Sequence, residues 1–157
     1  MLAHELGRLL KARGLTLAVA ESCTGGKLGD MITGVPGSSH YFMGGVICYS
    51  NMAKVDLLSV EKGTLDSKGA VSEEVALQMA AGARKALRAS IGVGITGIAG
   101  PSGGTMEKPV GLVYIAICSD RGSACTRNLF DGDRSAVKNS AAKRALEMLE
   151  EFVSKGP

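Results

Sequence analysis

Apolar residues recur along the chain with two periods, and the places where the period changes divide it into elements. Leu2, Leu6, Leu9 and Leu10 share one helical face, and Gly14 follows as a residue that tolerates a left-handed stop. Leu15 to Ala20 is a short apolar run that predicts a buried strand. Through Glu21-Ser22-Cys23 it leads into a helix expected from about Thr24 to Thr33, broken by Val35-Pro36-Gly37-Ser38-Ser39. Tyr41 to Tyr49 predicts a second strand, in which Gly44 and Gly45 suggest a bulge or the close approach of another group, such as a ligand. Asn51 to Leu58 returns to helical spacing, which puts Lys54 in the first turn of a short helix. Ser72-Glu73-Glu74 is a helix start, and Val75, Met79, Ala83, Ala86 and Leu87 carry a stripe on to about Ala89 whose alanines predict close packing on a sheet. Ile91 to Thr96 is a third strand. Val110 to Cys118 and Ser123 to Phe130 form a hairpin about Asp120-Arg121-Gly122, and Val137, Ala141, Ala145, Met148, Leu149 and Phe152 line one face of a last helix.

This order predicts an α/β fold, a three-layer α/β/α sandwich over one domain, residues 1–157. Its sheet is mixed and mostly parallel with five strands, since the terminal hairpin forces one strand to run antiparallel. Composition narrows the function classes. A chain with 45% hydrophobic and 21% charged residues, a net charge of +3 and only 4% aromatics without Trp is an ordinary globular composition. It offers few platforms for stacking bases. The cations alternate with acids on the predicted helices, so no nucleic acid partner is expected. No apolar run is long enough for a membrane span and no signal-peptide pattern opens the chain, so no membrane partner and a cytoplasmic location are expected. Cys23, Cys48, Cys118 and Cys125 lack metal-ligand spacing and read as reduced thiols. With only His4 and His40 to add, neither a metal, a cofactor nor a Ser-His-Asp triad is expected.

The candidate chemistry gathers at Ala20-Glu21-Ser22-Cys23-Thr24-Gly25-Gly26. A strand-to-helix turn presents a side chain at the carboxyl end of a sheet together with unpaired amides that favour negative charge. Ser22 therefore suits an acyl-transfer or anion site, although a serine there is equally a helix N-cap. Cys23 is an alternative nucleophile if the helix start lowers its pKa. Without a usable histidine, a lysine removed from water is the available base. Lys54 would emerge beside Ser22 if the first two strands are adjacent and parallel, with Tyr49 placed to relay or orient a proton. The amides of Thr24 and Gly25 are the expected oxyanion donors. The loop Gly97 to Thr105 is too rich in glycine for its own side chains to hold it, and it reads as a pocket wall, a lid or a plain surface loop. Arg134 at the start of the last helix suits bidentate binding of phosphate or carboxylate, or else pairs locally with Asp131 or Asp133.

Ala20-Glu21-Ser22-Cys23-Thr24-Gly25-Gly26, Val35-Pro36-Gly37-Ser38-Ser39, Gly44-Gly45-Val46, Tyr49-Ser50-Asn51 with Lys54, Gly69-Ala70-Val71-Ser72, Thr96-Gly97-Ile98-Ala99-Gly100-Pro101 and Lys108-Pro109-Val110-Gly111 together resemble the CinA C-terminal domain family. The resemblance runs from about Leu15 to Ala116. It implies the same three-layer fold and a nicotinamide-nucleotide amidase that converts nicotinamide mononucleotide to nicotinic acid mononucleotide and ammonia. By the same resemblance Ser22 matches the nucleophile, Lys54 the base and Tyr49 the tyrosine of the motif, with Arg134 in a looser C-terminal motif. Thr96, Gly97, Ala99 and Gly100, with Arg134, are then expected to hold the phosphate-bearing part of a small nucleotide substrate. Met52 stands where an acidic residue is common, and the chain reads as a stand-alone version of the domain. Two other readings stay open, a non-catalytic module binding a nucleotide or a protein and an amidase for another small amide, and so does a homo-oligomer.

Overall fold

The computed structural model describes residues 2–156. Five strands form one sheet in the order β2-β1-β3-β4-β5, made of β1 (Leu17–Glu21), β2 (Phe42–Ile47), β3 (Ile91–Gly97), β4 (Leu112–Ser119) and β5 (Gly122–Leu129). β1 pairs in parallel with β2 and β3, while β4 pairs antiparallel with both β3 and β5, so β4 alone runs against the other four. The mixed sheet expected from the hairpin is the one observed.

Alternation along β1 and β3 assigns the two faces. Leu17, Val19, Ile91, Val93 and Ile95 pack beneath α1 (Leu2–Arg13), α2 (Lys27–Thr33) and α6 (Arg134–Ser154). On the opposite face Ala18 and Ala20 meet α3 (Asn51–Leu58), α4 (Lys62–Lys68) and α5 (Glu73–Ala86). The alanines of α5 do bring it close to the sheet. A Cβ on Gly92 or Gly94 would run into the Ala80 or Ala76 carbonyl, so the strand beneath that helix has to carry glycine.

Three expectations need correction. α2 begins at Lys27 rather than Thr24, because Thr24 to Gly26 form turns that end in left-handed Gly25 and Gly26. α4 was not expected at all, since its seven residues Lys-Gly-Thr-Leu-Asp-Ser-Lys bury only Leu65 and show no apolar stripe. The glycines of β2 mark an irregularity in the pairing with β1, as expected, but the group that comes close to Gly45 is the Val19 side chain and not a ligand. No helix among the described residues is long and apolar enough to cross a membrane.

Candidate active site

The two parallel ladders on either side of β1 fix Ser22. Just past the strand end its amide donates to the Ile95 carbonyl at 3.0 Å, while the Glu21 carbonyl accepts from the Cys48 amide at 2.9 Å. Ser22 and the residues after β2 are thereby set side by side at the carboxyl end of the sheet, where open α/β sheets place their sites. Ser22 caps no helix: the N-cap of α2 is Gly26, which makes no side-chain cap bond.

Lys54 reaches the same point from α3. Ser50 caps that helix, accepting from the Ala53 amide at 3.0 Å, which orients the first turn so that Lys54 points inward with 1% of its surface exposed. Its Nζ donates to Ser22 Oγ at 3.0 Å, to the Cys48 carbonyl at 2.8 Å and to the Tyr49 carbonyl at 3.3 Å. Burial holds the ammonium below the ordinary lysine range. The neighbouring thiols oppose that shift only as thiolates, and burial raises the pKa of both, that of Cys23 to about 12. Burial therefore raises the Cys23 thiol where the alternative suggested by its position needed it lowered.

The turn after Ser22 differs from expectation in where its free amides lie. The Gly25 amide donates to the Ser22 carbonyl at 3.2 Å, so it is already engaged. Among the described residues the amides of Cys23 and Thr24 meet no protein acceptor, so the free amides of the turn are those two and not that of Gly25. Nor does α2 lend its first amides to the site. The buried Glu21 carboxylate takes Leu28 N–H at 2.9 Å and Gly29 N–H at 3.0 Å, filling the positive end of that helix. Glu21 was overlooked in the sequence, where a lone acid closing an apolar strand just before a helix was the available sign.

Around this pair lies a cleft of about 180 Å³ whose lining includes Ser22, Lys54, Thr96, Gly97, Ala99 and Arg134. Thr96 is buried and its hydroxyl donates to the Ala70 carbonyl at 2.9 Å, so it fixes the wall instead of offering a proton to a ligand. Tyr49 lines the cleft but is 61% exposed, and no hydrogen bond joins its hydroxyl to Ser22 or Lys54, so a proton relay through the ring is not what this geometry provides. That hydroxyl is instead 3.0 Å from Arg134 Nη2, while Arg134 Nη1 donates to the Gly100 carbonyl at 2.7 Å. Arg134 thus clasps the glycine-rich loop to Tyr49. It makes no ion pair with Asp131 or Asp133 among the described residues, and Asp133 instead caps α6 through the Ala136 amide at 2.8 Å. Beyond Ala99 and Arg134 the cleft continues into a wider groove of about 730 Å³.

Comparison with known proteins gives a consistent picture. The model of the CinA C-terminal domain matches residues 1–153. A competence-damage inducible protein of Halothermothrix orenii is 56% identical over 135 residues, which is 85% of this chain and 33% of that protein. The chain spans about a third of the length of the first such curated relatives it matches. The nicotinamide-nucleotide amidohydrolase PncC of Escherichia coli K12 is 50% identical over 149 residues, covering 94% of this chain and 90% of that protein. Among solved structures, a CinA superfamily protein from Klebsiella pneumoniae superposes with a TM-score of 0.95 at 34% identity, over 98% of this chain and 96% of that one.

Proposed function

This chain belongs to the CinA C-terminal domain family, and on that premise we propose that it is a nicotinamide-nucleotide amidase, hydrolysing nicotinamide mononucleotide to nicotinic acid mononucleotide and ammonia. One observation carries the reading, the set of three partners around Lys54 Nζ. Two are carbonyls, which can only accept. When the buried ammonium loses a proton, its two remaining N–H groups stay on those carbonyls, and the lone pair is left facing Ser22, the one partner able to donate. Deprotonation of Lys54 and activation of Ser22 are therefore a single geometric event.

The steps follow from that arrangement. Ser22 Oγ attacks the carboxamide carbon while its proton passes to neutral Lys54. The carbonyl oxygen becomes an oxyanion within reach of the Cys23 and Thr24 amides. The Lys54 ammonium then returns the proton to the leaving nitrogen, ammonia departs and an ester to Ser22 remains. Water, deprotonated by Lys54, opens that ester to release the carboxylate and restore Ser22. A cleft of about 180 Å³ suits the carboxamide-bearing ring, and the wider groove beside it takes the remainder of the nucleotide. A cytoplasmic setting belongs to the same reading, supported by four cysteines that are all free thiols.

The test is ammonia release from nicotinamide mononucleotide by the purified protein and by Ser22→Ala. Turnover by the first and its loss in the second are expected, with the nucleotide still bound. Binding without ammonia from the unaltered protein would make the chain a recognition module, and release from simple amides but not from the nucleotide would change the substrate class.

A further inference from the structure

We propose that the phosphate of the substrate is gripped by the ammonium groups of Lys27 and Lys138 in the groove beside the cleft, not by the amides of the loop from Thr96 to Gly100; the proposal rests on the nucleotide reading above. Lys27, Arg134 and Lys138 line that groove of about 730 Å³. Lys27 and Lys138 are half-buried, and among the described residues neither ammonium group makes a hydrogen bond or an ion pair. The Arg134 guanidinium is spent in part on Gly100 and Tyr49, which leaves the two lysines as the uncommitted charges. Asp133 is the carboxylate of the lining, and it is taken up by the Ala136 amide.

Their places in the helices leave that charge unanswered. Lys27 and Arg134 are the first residues of α2 and α6, Lys138 lies one turn on, and the first turn of α6 holds no acid. Glu21 already fills the positive end of α2 and Asp133 caps that of α6, so those dipoles neither hold nor repel the two lysines, and it is their own unpaired charge that favours an anion in the groove. A second basic cavity supplies the contrast. Arg13, Arg84, Arg88 and Arg121 line about 460 Å³ at the far end of the sheet. There Arg13 and Arg84 lie in the last turns of α1 and α5, where the helix dipole favours a cation, and they donate to the Ser154 and Ser90 carbonyls, so two of the four charges have partners without a ligand. No such account serves Lys27 and Lys138. Lys138 also ties the groove to the chemistry, since its Nζ lies 3.6 Å from where a Cβ on Gly25 would stand, against the turn that carries Ser22.

The experiment compares kcat/KM for nicotinamide mononucleotide with that for nicotinamide riboside, which carries the same carboxamide and no phosphate. Lys27→Gln, Lys138→Gln, the double variant and Lys138→Arg are measured. The ratio of nucleotide to riboside should fall about tenfold or more for each glutamine, as for loss of one charge-assisted bond, further in the double variant, and recover in Lys138→Arg. Inorganic phosphate, used as a competitor, should lose potency in step. An unchanged ratio, or equal losses on both substrates, overturns the assignment. A second arm titrates the nucleotide and the riboside into Ser22→Ala with and without the two lysine substitutions. A selective loss of nucleotide binding supports the phosphate site even if no ammonia is released by the unaltered protein, which would sink the amidase reading alone; equal binding of the two ligands in both backgrounds overturns it.

Discussion

Lys54 Nζ and Ser22 Oγ, 32 positions apart in the sequence, stand 3.0 Å apart at the carboxyl end of two adjacent parallel strands. If Ser22 supplies the bond to carbon and Lys54 moves the proton, Ser22→Ala should lower kcat by about three to six powers of ten while leaving nucleotide binding intact. Lys54→Arg should do no better than Lys54→Met, since guanidinium keeps its proton. Single-turnover ammonia release on the three variants decides this, and wild-type rates in Lys54→Arg would reduce the lysine to a fixed positive charge.

Turnover should rise with pH and level off once Lys54 is neutral, because burial sets its pKa below the ordinary lysine value. Stability follows by linkage. With the folded pKa depressed, the unfolded chain binds more protons between that pKa and 10.5, so this residue makes stability rise with pH across the interval. Below it the buried ammonium is a constant cost. Chemical denaturation of the wild type minus that of Lys54→Met, plotted against pH, should start to climb where turnover levels off and go on climbing to about 10.5.

Cys23→Ala should keep most of the turnover, because a thiol pushed up to about 12 supplies almost no thiolate near neutrality. Its stability effect has the opposite sign to that of Lys54. Above pH 9 the unfolded thiol loses its proton first, so the stability it contributes is complete below 9 and declines as pH rises toward 12. Cys125, also raised to about 12 by burial, behaves alike, so Cys23→Ala should remove only part of the alkaline decline in Tm.

Glu21→Gln should cost about 1–2 kcal/mol, since one of the two amides that the carboxylate holds, on Leu28 and Gly29, loses its charged acceptor. For a chain of this size that is a fall in Tm of about 3–6 °C by calorimetry. Turnover should fall with it, because the strand end that carries Glu21 also carries Ser22.

Tyr49→Phe should lose tenfold or less in kcat/KM, the scale of one hydrogen bond near the surface, because its hydroxyl meets Arg134 and not Ser22 or Lys54. Arg134→Ala releases both Tyr49 and the loop at Gly100 and should chiefly raise KM. A Tyr49→Phe variant as inactive as Ser22→Ala would restore the ring to the proton path.

The layers, the strand directions and the meeting of Ser22 with Lys54 were legible because each depends on local periodicity and on a strand or helix start. The amide pattern of the turn was not. That Gly25 N–H closes on Ser22 while Cys23 N–H stays free depends on left-handed Gly25 and Gly26, and glycine announces such freedom without saying which turn will use it. Glu21 was hidden for a different reason: a carboxylate in an apolar strand is usually read as a strand end, and its partners Leu28 and Gly29 come close only once the chain has turned. Lys27 carries the same sign as Lys54 and Arg134, a cation in the first turn of a helix, whereas Lys138 lies a turn further on and carries none. Only the folded groove distinguishes them from solvated surface charge.

The clasp between Arg134 and Tyr49 joins residues 85 positions apart, and its arginine opens the helix that follows all five strands during synthesis. A nascent chain with its sheet already outside the ribosome would hold Ser22 and Lys54 side by side, yet the Arg134 wall of the cleft would still be in the exit tunnel. The apolar face that α6 covers would be open to water at the same moment. On the amidase reading, competence thus waits for α6, so a product that stops at β5 should be silent towards the nucleotide as well as prone to aggregate.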